Sequence, residues 1–316
     1  MALPAATVAA ALEALRPAVA GLVVDDWAPS VQGAVGHVVG VTDGTGRRLV
    51  LKLYRADAAG AAPSERVALE LVAAARADRG GAGGAGLPVP AVVAHGRAGD
   101  ADHLLMTRLD GVRWADRRDA RPAATSEAVW RAVGAALRRV HAVRGDRYGG
   151  LVAGPWQDDP WAHLRERAGA TLDEYLRTGG DHDLARDVDA FVVGARDAVA
   201  ACPGPVLCHR DLTGGNLLVD ASDRPSGLVD WERAAWDDPL ADLAQTVRHV
   251  RTHRHADVRA LLDGYGPAGP SAADRLAVHE VLHALRERAW VVQDRPAGWQ
   301  RSAASLDAFA AGVVRA

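Results

Sequence analysis

The apolar residues of this 316-residue chain change period once, and that change limits the fold more than any single motif. Up to Thr107 the pattern is largely that of strands. Gly36-His37-Val38-Val39-Gly40-Val41 and the run from Arg48 to Tyr54 flank Asp43-Gly44-Thr45-Gly46, a sequence suited to a hairpin turn. Two more strands are expected at 91–95 and 102–107. The exceptions are a short amphipathic helix over 5–16 and a helix from Pro63-Ser64 to about Asp78, with Ser64 as its N-cap. The stretch from Gly80 to Gly86 reads as a flexible loop. After a break at Leu109-Asp110-Gly111 the spacing is helical over 125–143, 161–177, 182–200, 239–251, 256–264, 272–293 and 301–313. One island interrupts it: Val206 to Cys208, Leu217 to Val219 and Leu228 to Asp230 are short apolar pieces separated by turn residues. The expectation is an α+β protein of two parts. Residues 1–108 form an antiparallel β-sheet with one main helix, and residues 109–316 form a mainly helical part with a small β insert.

Bulk properties exclude several partner classes. A net charge of −3 with 24% charged residues gives no reason to expect nucleic acid or an anionic membrane surface. Met1-Ala2-Leu3-Pro4 lacks the basic start of a signal peptide, and no apolar run is long enough to span a bilayer. Cys202 and Cys208 have no metal-site spacing and make no disulfide framework, which points to a reducing cytoplasm.

Composition becomes informative at its rarest residues. The chain has one lysine, Lys52, one asparagine, Asn216, and no isoleucine, while 36 of its 37 basic residues are arginine. This reads as a bias against certain residue types wherever a substitute serves, so Lys52 and Asn216 mark sites that need those side chains. Chance survival of both is hard to reconcile with their positions in two separate motifs. Lys52 lies mid-strand, and Asn216 closes His209-Arg210-Asp211-Leu212-Thr213-Gly214-Gly215-Asn216.

These residues suit phosphoryl transfer, which asks a protein for positioning and charge neutralisation. On a loop between two short strands, Asp211 can serve as the base for an attacking hydroxyl and Asn216 as a neutral metal ligand. Asp230, at the end of the next strand, can serve as an anionic one. Gly214-Gly215 gives the loop freedom to turn, and His209 buttresses it. Asp237 reads as a solvated surface carboxylate.

The ordered set His-x-Asp-x-x-x-x-Asn (209–216), Val229-Asp230-Trp231-Glu232 and Asp238-Pro239-Leu240-Ala241-Asp242-Leu243 resembles the aminoglycoside phosphotransferase family, kin to choline kinases and more distantly to protein kinases. The resemblance spans about residues 30 to 245. It implies a two-lobe protein-kinase-like fold, an ATP- or GTP-dependent reaction with Mg2+, Asp211 as base, Asn216 and Asp230 as metal ligands, and a structural Asp242. Arg210 stands where the family usually has glycine, which bears on loop packing or substrate contact. Lysine gives the compact charge that nucleotide phosphates need, and the family's partner glutamate falls at Glu65, with Glu70 in reserve. Gln32-Gly33-Ala34-Val35-Gly36 matches the phosphate-covering loop only in its glycines, with Gly33 able to approach phosphate. Leu104 to Gly111 resembles the hinge, where the backbone of Thr107 and Leu109 would meet adenine and Met106 would line its pocket.

The implied acceptor is a hydroxylated small molecule: first an aminoglycoside or similar antibiotic, with a role in antibiotic resistance, then choline, homoserine or a sugar. A polycation would need carboxylates, for which Asp158-Asp159, Asp173-Glu174, Glu280 and Glu287 are candidates. The basic run from Arg248 to His255 reads as a solvated helix face. A protein kinase is disfavoured because Asp238 follows only eight residues after Asp230, and a nucleotide-binding scaffold without activity is the non-enzyme alternative. Either a monomer or a homodimer is compatible with the sequence.

Overall fold

A computed structural model describes residues 5–33, 36–58, 60–77 and 87–315. The chain forms two compact units, and no single boundary separates them. One unit comprises Met1–Val129, Leu151–Ala153 and Thr213–Ala234; the other comprises Trp130–Gly150, Gly154–Leu212 and Ala235–Ala316. Leu109 lies inside the first of these units.

The first unit is built on a five-stranded antiparallel sheet in the order Val23–Val24, Gly36–Thr42, Arg48–Tyr54, Ala101–Thr107, Val92–Ala98. Side chains alternate along the central strand. Leu49, Leu51 and Leu53 enter one apolar cluster with Val41, Leu105 and the buried Ala11 and Leu15 of the helix Ala5–Leu15. Lys52 and Tyr54 point to the opposite face, where Glu65 of the helix Ala61–Ala77 meets both. That helix starts three residues before Ser64, whose N–H is bonded to Gly60 O, so Ser64 lies in its first turn and is not its cap. Pro63 is tolerated there because first-turn N–H groups have no intrahelical acceptor. Asp78 and the Gly80–Gly86 segment lie outside the described residues. A second sheet in this unit orders Pro225–Leu228, Leu217–Val219 and Val112–Arg113.

The second unit is mostly helical. Leu164, Ala168 and Tyr175 of the helix Pro160–Arg177 pack with Leu184, Val188 and Val192 of His182–Gly194 and with Val278, Val281 and Leu285 of Ala272–Asp294. A four-stranded sheet, Trp156–Gln157, Tyr148–Gly150, Ala235–Asp237, Val206–Cys208, pairs Ala235 with Cys208 and Asp237 with Val206. The β insert expected over 206–230 is thus shared out. Val206–Cys208 belongs to this sheet, whereas Leu217–Val219 and Pro225–Leu228 belong to the sheet of the first unit. The short strands at 23–24, 112–113, 148–150, 156–157 and 235–237 have too few residues to give a period. No helix among the described residues is long and apolar enough to cross a membrane.

Because Leu51 is fully buried in the central strand, Leu51→Ala should destabilise the protein by about 3 kcal/mol. Val24→Ala, at a residue 50% exposed on the edge strand, should change stability by no more than about 0.5 kcal/mol. Urea unfolding of both variants measures the difference.

Candidate active site

The lysine of the central strand is 6% exposed and has three carboxylates around it. Lys52 Nζ lies 2.6 Å from Glu65 Oε2, 2.7 Å from Asp230 Oδ1 and 3.0 Å from Glu232 Oε2. The first two contacts are hydrogen bonds, while the third is an ion pair without hydrogen-bond alignment. Burial by itself would weaken the ammonium, but the carboxylates, Glu65 foremost, outweigh it and hold its pKa well above the ordinary lysine value. Glu65 is 1% exposed because Ala62, Glu65, Ala68, Leu69 and Val72 form the inward face of their helix. It also accepts hydrogen bonds from Tyr54 Oη at 2.6 Å and from the Trp231 amide at 3.2 Å. Glu70 is exposed and pairs with Arg66, so of the two candidates only Glu65 faces Lys52.

Asn216 and Asp230 flank one end of a hairpin. Leu217 pairs with Leu228, and beyond that pair the Val229 N–H donates to Asn216 O at 3.0 Å. Asp230 lies two residues past the strand, not at its end, and has φ 68°, a left-handed conformation that turns its carboxylate toward the sheet lysine. Glu232 was not singled out by sequence reasoning, although it closes the Val229–Glu232 run. One carboxyl oxygen each of Glu65, Asp230 and Glu232 lies within 4.8 Å of the others. Three carboxylate side chains face one ammonium, a surplus of acidic groups. Hard oxygen donors with that surplus are a set that magnesium accepts. Burial pushes the Glu232 carboxyl up to about 7, Lys52 opposes the shift, and the neighbouring Asp230 and Glu65 charges add to it.

In the second unit, the strand Val206–Cys208 leads into His209, Arg210 and Asp211. The buried Asp242 accepts the amides of His209 and Arg210, each at 2.7 Å, and its Oδ2 lies 3.2 Å from His141 Nε2. His209 Nδ1 accepts the Asp211 amide at 3.2 Å, which leaves any ring proton on Nε2. Gln245 donates to Asp211 Oδ1 at 2.9 Å. Asp242 and Gln245 stand three apart in the helix Pro239–Arg251 and so share a face; that spacing was the available signal for Gln245, and sequence reasoning passed over it.

Arg210 has φ 62°, a conformation that costs a side-chain-bearing residue roughly 1–2 kcal/mol relative to glycine. Its guanidinium lies 3.2 Å from Asp237, which also meets Arg167 at 2.6 Å and His163 at 3.3 Å. Asp237 is fully buried, which corrects the expectation of a solvated surface carboxylate. Burial opposes its charge, but Arg167 and Arg210 outweigh burial and hold its carboxyl well below the usual range. Arg248 likewise departs from a solvated face: it is 7% exposed, pairs with Glu287 at 3.1 Å and stacks on Phe309.

The remaining predicted positions belong to the first unit. Gly33 is exposed, and a side chain there would meet, among the described residues, only Gly36 O, at 3.9 Å, while one on Gly36 would meet Leu53 O at 2.7 Å. Ala34 and Val35 lie outside the described residues. Met106 is buried in its strand, Thr107 exchanges hydrogen bonds with the backbone of Ala91 through its amide and hydroxyl, and Leu109 follows, half-buried.

The sequence model of the phosphotransferase enzyme family (APH) matches residues 31–280. A search of curated proteins found no match. Among solved structures, a thermostable mutant of the aminoglycoside phosphotransferase APH(4)-Ia, in ternary complex with AMP-PNP and hygromycin B, is 20% identical with TM-score 0.67; the alignment covers 93% of this chain and 94% of that one. A protein of Thermobifida fusca assigned as a fructosamine-3-kinase is 20% identical with TM-score 0.65, covering 97% and 99%. The macrolide 2'-phosphotransferase MphH of Brachybacterium faecium is 19% identical with TM-score 0.54, covering 96% and 98%. The chain has the two-lobe protein-kinase-like fold of the aminoglycoside phosphotransferases.

The raised Glu232 carboxyl sets a pH dependence. Between its ordinary value of 4.5 and about 7 the folded protein holds a proton that the unfolded chain releases, so stability falls as pH rises through that window. Thermal unfolding between pH 5 and about 7.5 without divalent cation should show this slope in the wild type, and Glu232→Gln should flatten it.

Proposed function

This chain belongs to the phosphotransferase enzyme family, and we propose that it transfers the γ-phosphoryl group of ATP or GTP to a hydroxyl of a small molecule. The observation that carries this reading is the 2.7 Å contact between the only lysine of the chain, on the sheet, and Asp230, 178 residues later and just beyond the hairpin. It joins a phosphate-binding cation to a metal-ligand carboxylate in one compact unit. The presence of AMP-PNP in the APH(4)-Ia complex supports nucleotide as the donor by analogy.

In this reading Lys52, held by Glu65, offers its charge to the nucleotide phosphates, and Gly33 lets backbone amides approach them. Thr107 and Leu109 present backbone groups to the base beside Met106. Asp230 and Asn216, with Glu232 beside them, would hold magnesium, which when bound supplies positive charge against the phosphate oxygens. Asp211 accepts the proton of the acceptor hydroxyl. The acceptor oxygen then forms its bond to the γ-phosphorus, the bond from that phosphorus to the β–γ bridging oxygen breaks, and the nucleoside diphosphate leaves. Gln245, by donating to one Asp211 oxygen, fixes the position of that carboxylate. Asp242, by accepting two successive amides, keeps the loop in the conformation that presents Asp211.

Hygromycin B, macrolides and fructosamines, the compounds associated with the neighbouring structures, have in common a hydroxyl nucleophile and otherwise differ in charge and shape. The reaction is therefore better supported than any one acceptor. Asp211→Ala should lower turnover by roughly 10²–10⁴-fold, measured by ADP release, while leaving the stabilisation by nucleotide and magnesium largely intact. Near-normal phosphorylation by this variant would remove Asp211 as the base.

A further inference from the structure

The helices Pro160–Arg177, Pro239–Arg251 and Ala272–Asp294 of the second unit line a cavity of about 200 Å³. Its polar lining is Arg167, Thr171, Arg210, Gln245, His279, His283 and Arg286, with no carboxylate among the described residues. Gln245 is the residue that holds Asp211, so the cavity begins one side chain from the proposed base.

Two of the three arginines on this wall, Arg167 and Arg210, are paired with one carboxylate between them, that of Asp237. The next acidic residue, Asp238, is engaged by the fully buried Arg275 at 3.0 Å as well as lying 3.5 Å from His279. Glu287 belongs to Arg248, and His283 Nδ1 is 3.8 Å from it, beyond hydrogen-bond reach. His279 is 4% exposed, yet its Nδ1 has no hydrogen-bond partner among the described residues. Burial, reinforced by Arg286, Arg248, Arg210 and Arg167, keeps the His283 imidazole well below its ordinary pKa, as expected in a strongly positive pocket.

Of the six carboxylates that could serve a polycationic acceptor, four have partners already, Glu287 among them, while Asp158 and Asp173 are exposed. Asp159 caps the helix Pro160–Arg177, Glu174 pairs with Arg177, and Glu280 pairs with Arg251 at 2.8 Å. At Arg210, moreover, an arginine occupies a left-handed backbone position that suits glycine, and its side chain reaches this wall.

We propose that the acceptor is a small hydroxylated anion, a phosphate monoester or a carboxylate, whose charged group is bound by Arg167, Arg210 and Arg286 while its hydroxyl meets Asp211. The inference rests on the kinase reading above and narrows its substrate class. Guanidinium groups grip either anion in the same bidentate manner, so the shared chemistry is an oxyanion. The product is the same molecule with a phosphate ester in place of the hydroxyl.

The test is ADP release by the full chain with ATP and magnesium over matched acceptors: glycerol 3-phosphate, glycerate and glycerol; glucose 6-phosphate, gluconate and glucose; and kanamycin as the polycation. At least one anion should exceed its neutral parent and kanamycin by about tenfold or more in kcat/KM, and Arg286→Gln should erase that advantage mainly through KM. The phosphate and carboxylate arms tell the two sources apart. Equal use of neutral parents, preference for kanamycin, or an anion preference that survives Arg286→Gln would overturn the proposal while leaving the kinase reading in place. Calorimetric titration with inorganic phosphate, without nucleotide, gives an independent readout. Binding that Arg286→Gln weakens by about tenfold, with no ADP released by any acceptor, would sustain the anion site and count against the kinase reading. No turnover of any anion together with no phosphate binding would refute the proposal.

Discussion

A buried ammonium held among three carboxylates is the interaction on which the first unit depends. Charges of one sign crowded at low dielectric repel strongly, and each also loses hydration. Glu65, Asp230 and Glu232 come from a helix and from the segment after the hairpin, and the contact they share is Lys52. Its ammonium can be buried because the central strand places it opposite the Leu49, Leu51 and Leu53 face, with an apolar sheet behind it and acids in front. Arginine is the cation nearly everywhere else in this chain, but its longer planar fork would not occupy the same point between three oxygens.

Much of this was legible in the sequence, for identifiable reasons. The long helices obeyed a 3.6-residue apolar period, and six of the seven read after the break match single helices closely. The seventh, 182–200, is interrupted at Ala195, which no spacing signals. The hairpin of Gly36–Thr42 and Arg48–Tyr54 followed from alternation around Asp43-Gly44-Thr45-Gly46. Lys52 stood out by rarity, and Glu65 by its place on a helix flank. Two-residue strands have no period to read, so the pairing of Val112–Arg113 with Leu218 and Val219 was out of reach. Asp237 was misjudged because its burial depends on Arg167, seventy residues earlier, and local composition says nothing about such a partner. Glu232 and Gln245 were missed because their importance comes from what they touch.

The loop from His209 to Asp211 has a comparable economy. Asp242 accepts two consecutive amides and His209 a third, so three backbone donors are satisfied within a few residues. That clamp also holds Arg210 in a conformation an unsupported arginine would leave, and the resulting direction sends its guanidinium to Asp237. Backbone strain and buried charge are therefore coupled at one residue. The exception to the glycine pattern of the family is tied to a cationic wall and is not an isolated substitution.

The discontinuity of the first unit has a consequence for how the protein is made. Its third segment, Thr213–Ala234, supplies Asp230 and Glu232, and it leaves the ribosome long after the sheet bearing Lys52. At typical elongation rates the stretch from residue 129 to residue 234 takes roughly 5–20 s to synthesise. During that interval the nascent sheet and Glu65 stand without their acidic partners, and the strands Leu217–Val219 and Pro225–Leu228 that join Val112–Arg113 do not yet exist. Completion of the first unit is thus a late, long-range event in biogenesis, although most of its residues are translated first.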